Sequence, residues 1–314
     1  MLWRVARRRF GGAFAALWWA RTISFSGDVL AQVALVVLAA GQANAAMAVS
    51  LLLLAQALPW LLGPLAGIVA DRVGLRGLML ACELGQGLLV AAIAVVAPPF
   101  AVTLALVAAM TLLATIFSPA SKSALPALMP AETLGDANAL LRLGANVSRV
   151  AGPAIAGLLL AAAFGLRLVL LLDALSFALS ALLLSRLPPL PPLAPSPDPR
   201  GEKQAGIAVS LRDGLGYLLR HPIARAVSLA LFLVTLFVAL DNVGMVFLAE
   251  RTLAGGTAGY GLALTGYGVG MVVAPLVLLR LKTSLRPAPM LLAGIAVMGL
   301  GTALCGLAPS LGAA

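Results

Sequence analysis

Long, unbroken apolar runs separated by short connections hold nearly all of this chain, and that pattern confines it to a bilayer. About 20 apolar residues cross the hydrocarbon core as one helix, and only helices or closed barrels can satisfy their backbone there. The runs lack the alternation of barrel strands, so they read as helices. A mean hydropathy of +1.07 and a charged fraction of only 10% exclude an ordinary soluble domain.

Nine spans are expected, at about 13–38, 46–70, 77–97, 100–120, 144–164, 166–187, 224–248, 258–281 and 288–308. The net charge of +10 would suit nucleic acid if it were gathered on one face, but it is not. The N-terminus and every second connection carry 18 of the 21 Lys and Arg, and the opposite connections carry only Arg167 and Arg251. That asymmetry places the N-terminus in the cytoplasm, in a plasma (inner) membrane, and argues against a nucleic-acid partner. The apolar stretch after Arg4, Arg7, Arg8 and Arg9 runs to about Ala40 without a small-residue cleavage site, so it reads as an uncleaved first span.

Residues 1–187 are expected to form a six-helix bundle and residues 223–314 a partial second bundle of three spans. Between them, residues 188–222 form a cytoplasmic linker. Its first part is too rich in proline to be helical, and an amphipathic helix at about 207–220 follows, with Ile207, Leu211, Leu215 and Leu218 on one face. The two sides read as diverged copies. Asp28 and Asp241 are 213 residues apart, and Pro64 and Pro275 are 211 apart, as expected where a site lies between repeats.

Charge inside a span is costly and is a default functional candidate. Arg21 and Asp28 lie seven residues apart, two turns along one face of the first span, with Ser24 between them. Asp28, together with Asp241, is a candidate for lining a central cavity, where alternating exposure would load and release a proton; the bland alternative is a neutral pair in which Arg21 satisfies Asp28. Glu83 and Asp173, each about two turns into its span, read as structural groups near the interfaces. Cys82 and Cys305 fall inside spans and read as small packing residues rather than a disulfide. There is no phosphate-binding loop, HExxH, cysteine cluster or GxSxG elbow, and His221 is the only histidine. No enzyme, metal, cofactor or catalytic residue is therefore expected.

The segment Gly67-Ile68-Val69-Ala70-Asp71-Arg72-Val73-Gly74-Leu75-Arg76 resembles the loop 2–3 motif of the major facilitator superfamily, with Leu75 in place of the first closing basic residue. Ser118-Pro119-Ala120, Ala124-Leu125-Pro126, Leu128-Met129-Pro130, Ala137-Asn138-Ala139-Leu140 and Asp173-Ala174-Leu175-Ser176-Phe177 resemble its enterobactin-exporter and macrolide-efflux branch. Gly152-Pro153-Ala154-Ile155-Ala156-Gly157 is similar to part of the antiporter motif, with Ala156 replacing a glycine; ordinary packing of small residues is the alternative.

The resemblance implies an all-α integral membrane protein of the major facilitator fold. It implies a conformational latch at Gly67, Asp71, Arg72, Gly74 and Arg76 that breaks when the cytoplasmic side opens; arginines alone would fit plain anchoring, whereas the glycine-flanked aspartate fits a latch. It also implies a monomer that exchanges protons for a small amphipathic solute of drug or siderophore type, by rocking one half against the other. An importer or lysolipid mover of the same fold, and a transport-inactive membrane protein, remain as alternatives. The family has twelve spans and this chain supplies nine, so a fragment or a truncated reading frame is expected, without the eleventh span that Asp71 would latch.

Overall fold

A computed structural model describes residues 11–161, 165–191, 214, 216–247, 268–277 and 287–306. Among them all regular structure is helical, with no strand. The chain divides into two compact units between Ile207 and Ala208.

Among its described residues the first unit holds seven α-helices. They are α1 (Gly12–Ala40), α2 (Ala45–Ala57), α3 (Gly63–Arg72), α4 (Leu75–Val96), α5 (Phe100–Leu128), α6 (Leu134–Ala161) and α7 (Gly165–Leu184). Helices α2 and α3 form one span, broken at a 3-10 turn over Leu58–Leu62. Six segments of the described residues are long and apolar enough to cross a membrane. In the second unit α8 (Pro222–Phe247), α9 (Gly268–Val277) and α10 (Pro287–Gly306) are apolar helices at the seventh to ninth expected spans. The backbone amide of Ala224 donates to His221 Nδ1 (3.5 Å), a cap at the start of α8.

Two sequence expectations are corrected. The second span was expected as one continuous helix. Pro59 in the turn and Pro64 in the first turn of α3 instead remove backbone donors, and the helix tightens and restarts. Lys122 and Arg142 fall in the connection expected between residues 120 and 144. Instead α5 continues to Leu128 through Pro119 and Pro126, and α6 begins at Leu134, so both lie on helices. Helices α5 and α6 run well beyond the expected spans, whereas α4 and α7 end within three residues of the expected ends. Of the expected amphipathic helix at 207–220, residues 216–220 are helical and residues 207–213 and 215 lie outside the described residues. Residues 192–213 of the linker also lie outside them.

Burial is inverted relative to a soluble bundle. Leu61, Leu88 and Leu158 are more than 70% exposed, whereas Glu83, Asp173, Ser121 and Ser180 are at most 1% exposed. Large apolar groups suit lipid, and polar groups must find shelter inside. The apolar core joins Ala31, Ala34 and Leu35 of α1 to Leu52 of α2, Val90 and Ile93 of α4, Val107 of α5, and Val169, Leu170 and Phe177 of α7.

Helix α1 is the centre of the bundle and packs most extensively on α7 and α6. Small residues set both seams. Toward α7, a Cβ at Gly27 would come within 2.8 Å of Ser176 Cβ and would also collide with the Asp173 carboxylate. Toward α6, Gly144, Ser148 and Gly152 recur every four residues. A Cβ at Gly152 would sit 3.0 Å from Val29 Cβ, and one at Gly144 would sit 3.3 Å from Thr22 Cγ2. Close approach lets polar groups cross the seam. Ser26 and Ser148 hydroxyls share a hydrogen bond (2.7 Å), and Trp18 Nε1 donates to the Leu140 carbonyl (2.8 Å). Such bonds are the glue of helix pairs in lipid.

At the end of the bundle where α3 meets α4, Arg76 Nη2 donates to the Ser185 carbonyl just past α7 (2.6 Å), and the Leu75 amide donates to the Leu190 carbonyl (3.1 Å). A guanidinium there satisfies an orphan carbonyl and sits well in the helix dipole.

Two stability predictions follow from these contacts. Gly27→Val should destabilise the purified protein by about 1–3 kcal/mol through overpacking, read as a lower midpoint of thermal unfolding in detergent, whereas Gly157→Ala, in open space within α6, should not lower the midpoint. Arg76→Ala should cost about 1 kcal/mol by removing one charge-assisted bond; an unchanged midpoint would show that the contact with α7 carries no weight.

Candidate functional site

Three apolar helices each carry a polar stripe, and the bundle turns the stripes toward one another. On α1 the stripe is Arg21, Ser24 and Asp28, on α4 it is Glu83 and Gln86, and on α7 it is Asp173, Ser176 and Ser180. Spacings of three, four and seven keep each set on one helical face. Asp28, Glu83 and Asp173 all lie within about three residues of the middle of their helices, which for a helix of spanning length is the middle of the bilayer.

That corrects the placing of Glu83 and Asp173 near the interfaces. Two turns into a helix of 20 to 22 residues is already close to its centre, and α4 begins earlier than the apolar run suggested. The two residues surround Asp28, which composition gave no means to see.

Arg21, Asp28 and the Ser24 and Ser180 hydroxyls all lie within electrostatic reach of Glu83, and none of them makes a hydrogen bond to it. Asp173 faces both Asp28 and Glu83. Ser176 Oγ donates to the Asp173 carbonyl (2.8 Å) and to Asp173 Oδ1 (3.3 Å). Both oxygens of Glu83, Oδ2 of Asp173 and the Ser180 hydroxyl are buried without a partner in hydrogen-bonding geometry. Gln86 Nε2 donates to the Cys82 carbonyl (3.2 Å), and Cys82 itself is a buried free thiol. Three carboxyl groups against one guanidinium cannot all be ionised and paired within the cluster. Burial without compensation is expensive, so the arrangement calls for a bound proton or another positive group.

Beside the cluster lies a cavity of about 230 Å³. Asp28, Asp173, Gln32, Gln56, Gln86 and Thr111 supply its polar lining, and Ala31, Leu35, Val107, Met110, Ala114 and Trp60 its apolar walls. Asp28 lines this cavity, which belongs to the N-terminal bundle and is not the central cavity between the halves that the sequence led us to expect. Asp241 lies on α8 with its side chain outside the described residues, so its expected pairing with Asp28 does too.

The other expected residues are spread out. Gly67 is in α3, Asp71 and Arg72 end it with both side chains exposed, Gly74 precedes α4, and Arg76 holds the end of α7. That bond to the linker side of α7 was not legible beforehand. In the antiporter-like segment, Gly152 serves the α1–α6 seam one residue beyond Asp28, Pro153 lies exposed within α6, and a Cβ at Gly157 would meet nothing within 4 Å. Within the N-terminal unit, Gly152 is the member of this segment that meets a neighbouring helix closely.

Comparison with known proteins agrees with this architecture. Residues 10–314 match the family described as transmembrane secretion effector, within the major facilitator superfamily. The chain is also similar to the uncharacterized MFS-type transporter YfiS of Bacillus subtilis (strain 168), at 32% identity over 259 residues, 81% of this chain and 61% of that protein. The chain therefore spans about three fifths of that relative's length. These matches are to transporters rather than enzymes, and with the apolar helices they make this a multi-pass membrane protein. The chain belongs to the major facilitator superfamily.

Proposed function

We propose that the protein is a secondary active transporter that exports a small amphipathic solute in exchange for protons by alternating access. The observation that carries this reading is the group of Asp28, Glu83 and Asp173 with Arg21, at mid-membrane depth beside a polar cavity. Carboxyl groups on three helices, two of them fully buried and the third reaching the cavity, are suited to exchange a proton for another ligand. The resemblance to the enterobactin-exporter and macrolide-efflux branch supports the outward direction. The charge asymmetry of the connections supports a plasma-membrane protein with its N-terminus in the cytoplasm. A monomer is the proposed working form.

In this mechanism Asp28 takes up and releases the proton, Arg21 holds Glu83, and the Gly27 contact keeps Asp173 against α1. The α3–α4 junction acts as the latch, with Asp71 exposed and available and Arg76 already fastened to the end of α7.

Cells overproducing the protein and loaded with ethidium, Nile red or 8-anilinonaphthalene-1-sulfonate should expel at least one of the dyes, and an uncoupler should stop the export. Failure to expel any of them would overturn the reading. Asp28→Asn should lower the proton-driven rate at least tenfold with normal amounts of protein in the membrane; an unchanged rate would remove Asp28 from the coupling. Asp71→Asn should impair export without impairing insertion, and full export by that variant would contradict the latch.

A further inference from the structure

We propose that the cavity beside Asp28 and Asp173 is a binding site for a small organic cation, an alkylated or protonated amine bearing an apolar group. The inference deepens the transport reading by naming its substrate class and rests on it for physiological meaning. The site itself is formed by the N-terminal bundle.

The charge of the lining sets the sign of the ligand. Asp28 and Asp173 both contribute, and no Lys, Arg or His does. Arg21, the base nearest in the cluster, lies two turns along α1 from Asp28 and faces Glu83. Asp28 is partly exposed and is the carboxylate a ligand in the cavity can reach. Asp173 is fully buried just behind the lining, its Oδ1 accepting from Ser176 and its Oδ2 without a partner, and adds negative charge there. Two carboxyl groups so placed favour a cation and penalise an anion.

The neutral groups point the same way. The Thr111 hydroxyl donates to the Val107 carbonyl (3.0 Å), Gln32 donates to Gln56 (3.0 Å), and Gln86 donates to the Cys82 carbonyl (3.2 Å). The Thr111 and Gln86 donors are thus engaged by backbone carbonyls, and the amides of Gln32 and Gln56 hold each other within the lining, so no neutral group adds a positive charge against a cation. Leu35, Val107 and Met110 provide apolar wall, and Trp60, half exposed, offers a ring face to a cation. The volume of about 230 Å³ exceeds the roughly 150 Å³ that holds a benzene molecule, leaving room for an ammonium head beside an aromatic or alkyl group.

The test compares two soluble probes of similar size and opposite charge, phenyltrimethylammonium and benzenesulfonate, by equilibrium dialysis against the full chain in detergent at alkaline pH. The ammonium should bind at least tenfold more tightly than the sulfonate. Asp28→Asn and Asp173→Asn should each weaken ammonium binding at least fivefold, with Gly157→Ala as the control. Equal or tighter sulfonate binding, binding of neither probe, or ammonium binding that survives both substitutions would overturn the proposal. The wild-type comparison of probes decides even where a variant fails to fold. Ammonium binding without export of any dye would support this site and overturn the transport reading. Export of the neutral or anionic dye alone, without ammonium binding, would do the reverse.

Discussion

Helix α1 meets α7 at Gly27, where there is no room for a side chain, and the rest of the N-terminal bundle depends on that contact. The missing Cβ lets Asp173 and Ser176 lie against the α1 backbone, which brings the Asp173 carboxyl beside Asp28. On the opposite side Gly144 and Gly152 admit α1 equally closely to α6. Lipid offers helices no hydrophobic reason to associate, so close backbone approach and hydrogen bonds such as Ser26 to Ser148 hold them. The same small residues that assemble the bundle therefore build the site.

The site is a problem in electrostatics that the fold leaves open. Arg21 faces Glu83, and Ser176 supplies one bond to Asp173, yet Glu83 and one oxygen of Asp173 keep unused acceptors at almost complete burial. A purely structural cluster would be expected to satisfy its members, because an unpaired buried charge costs far more than a paired one gains. An exchanging site has to leave capacity for what it exchanges. The adjoining cavity, carboxyl-lined and apolar-walled, gives that capacity a place. On this view packing fixes three carboxyl groups at one depth, and their mutual repulsion makes occupancy by a proton and by a cation interdependent.

Much of this was legible in the sequence. Continuous apolar runs gave the spans, because a bilayer imposes length and helicity on any chain that crosses it. Asp28 stood out because charge in such a run is rare. The all-α class and the superfamily both hold. What escaped was whatever depends on neighbours distant in the chain. Glu83 and Asp173 looked peripheral because two turns from a span end reads as near the interface, whereas in helices of 20 to 22 residues it is close to the middle. The stripes at Glu83 and Gln86 and at Asp173, Ser176 and Ser180 were a readable signal, since polar residues at three- and four-residue spacing in an apolar helix mark a buried face. The break at Leu58–Leu62 was signalled by Pro59 and Pro64. The bond from Arg76 to Ser185 carried no local sign at all.

The central claim is that Asp28, Glu83 and Asp173 behave as one electrostatic unit. Infrared difference spectroscopy of the carboxyl stretch, with the protein titrated in lipid, tests it directly. The account predicts that Asp28→Asn removes one band and displaces the titration of the bands from Glu83 and Asp173. Loss of the Asp28 band alone, with the other two titrating as before, would contradict it.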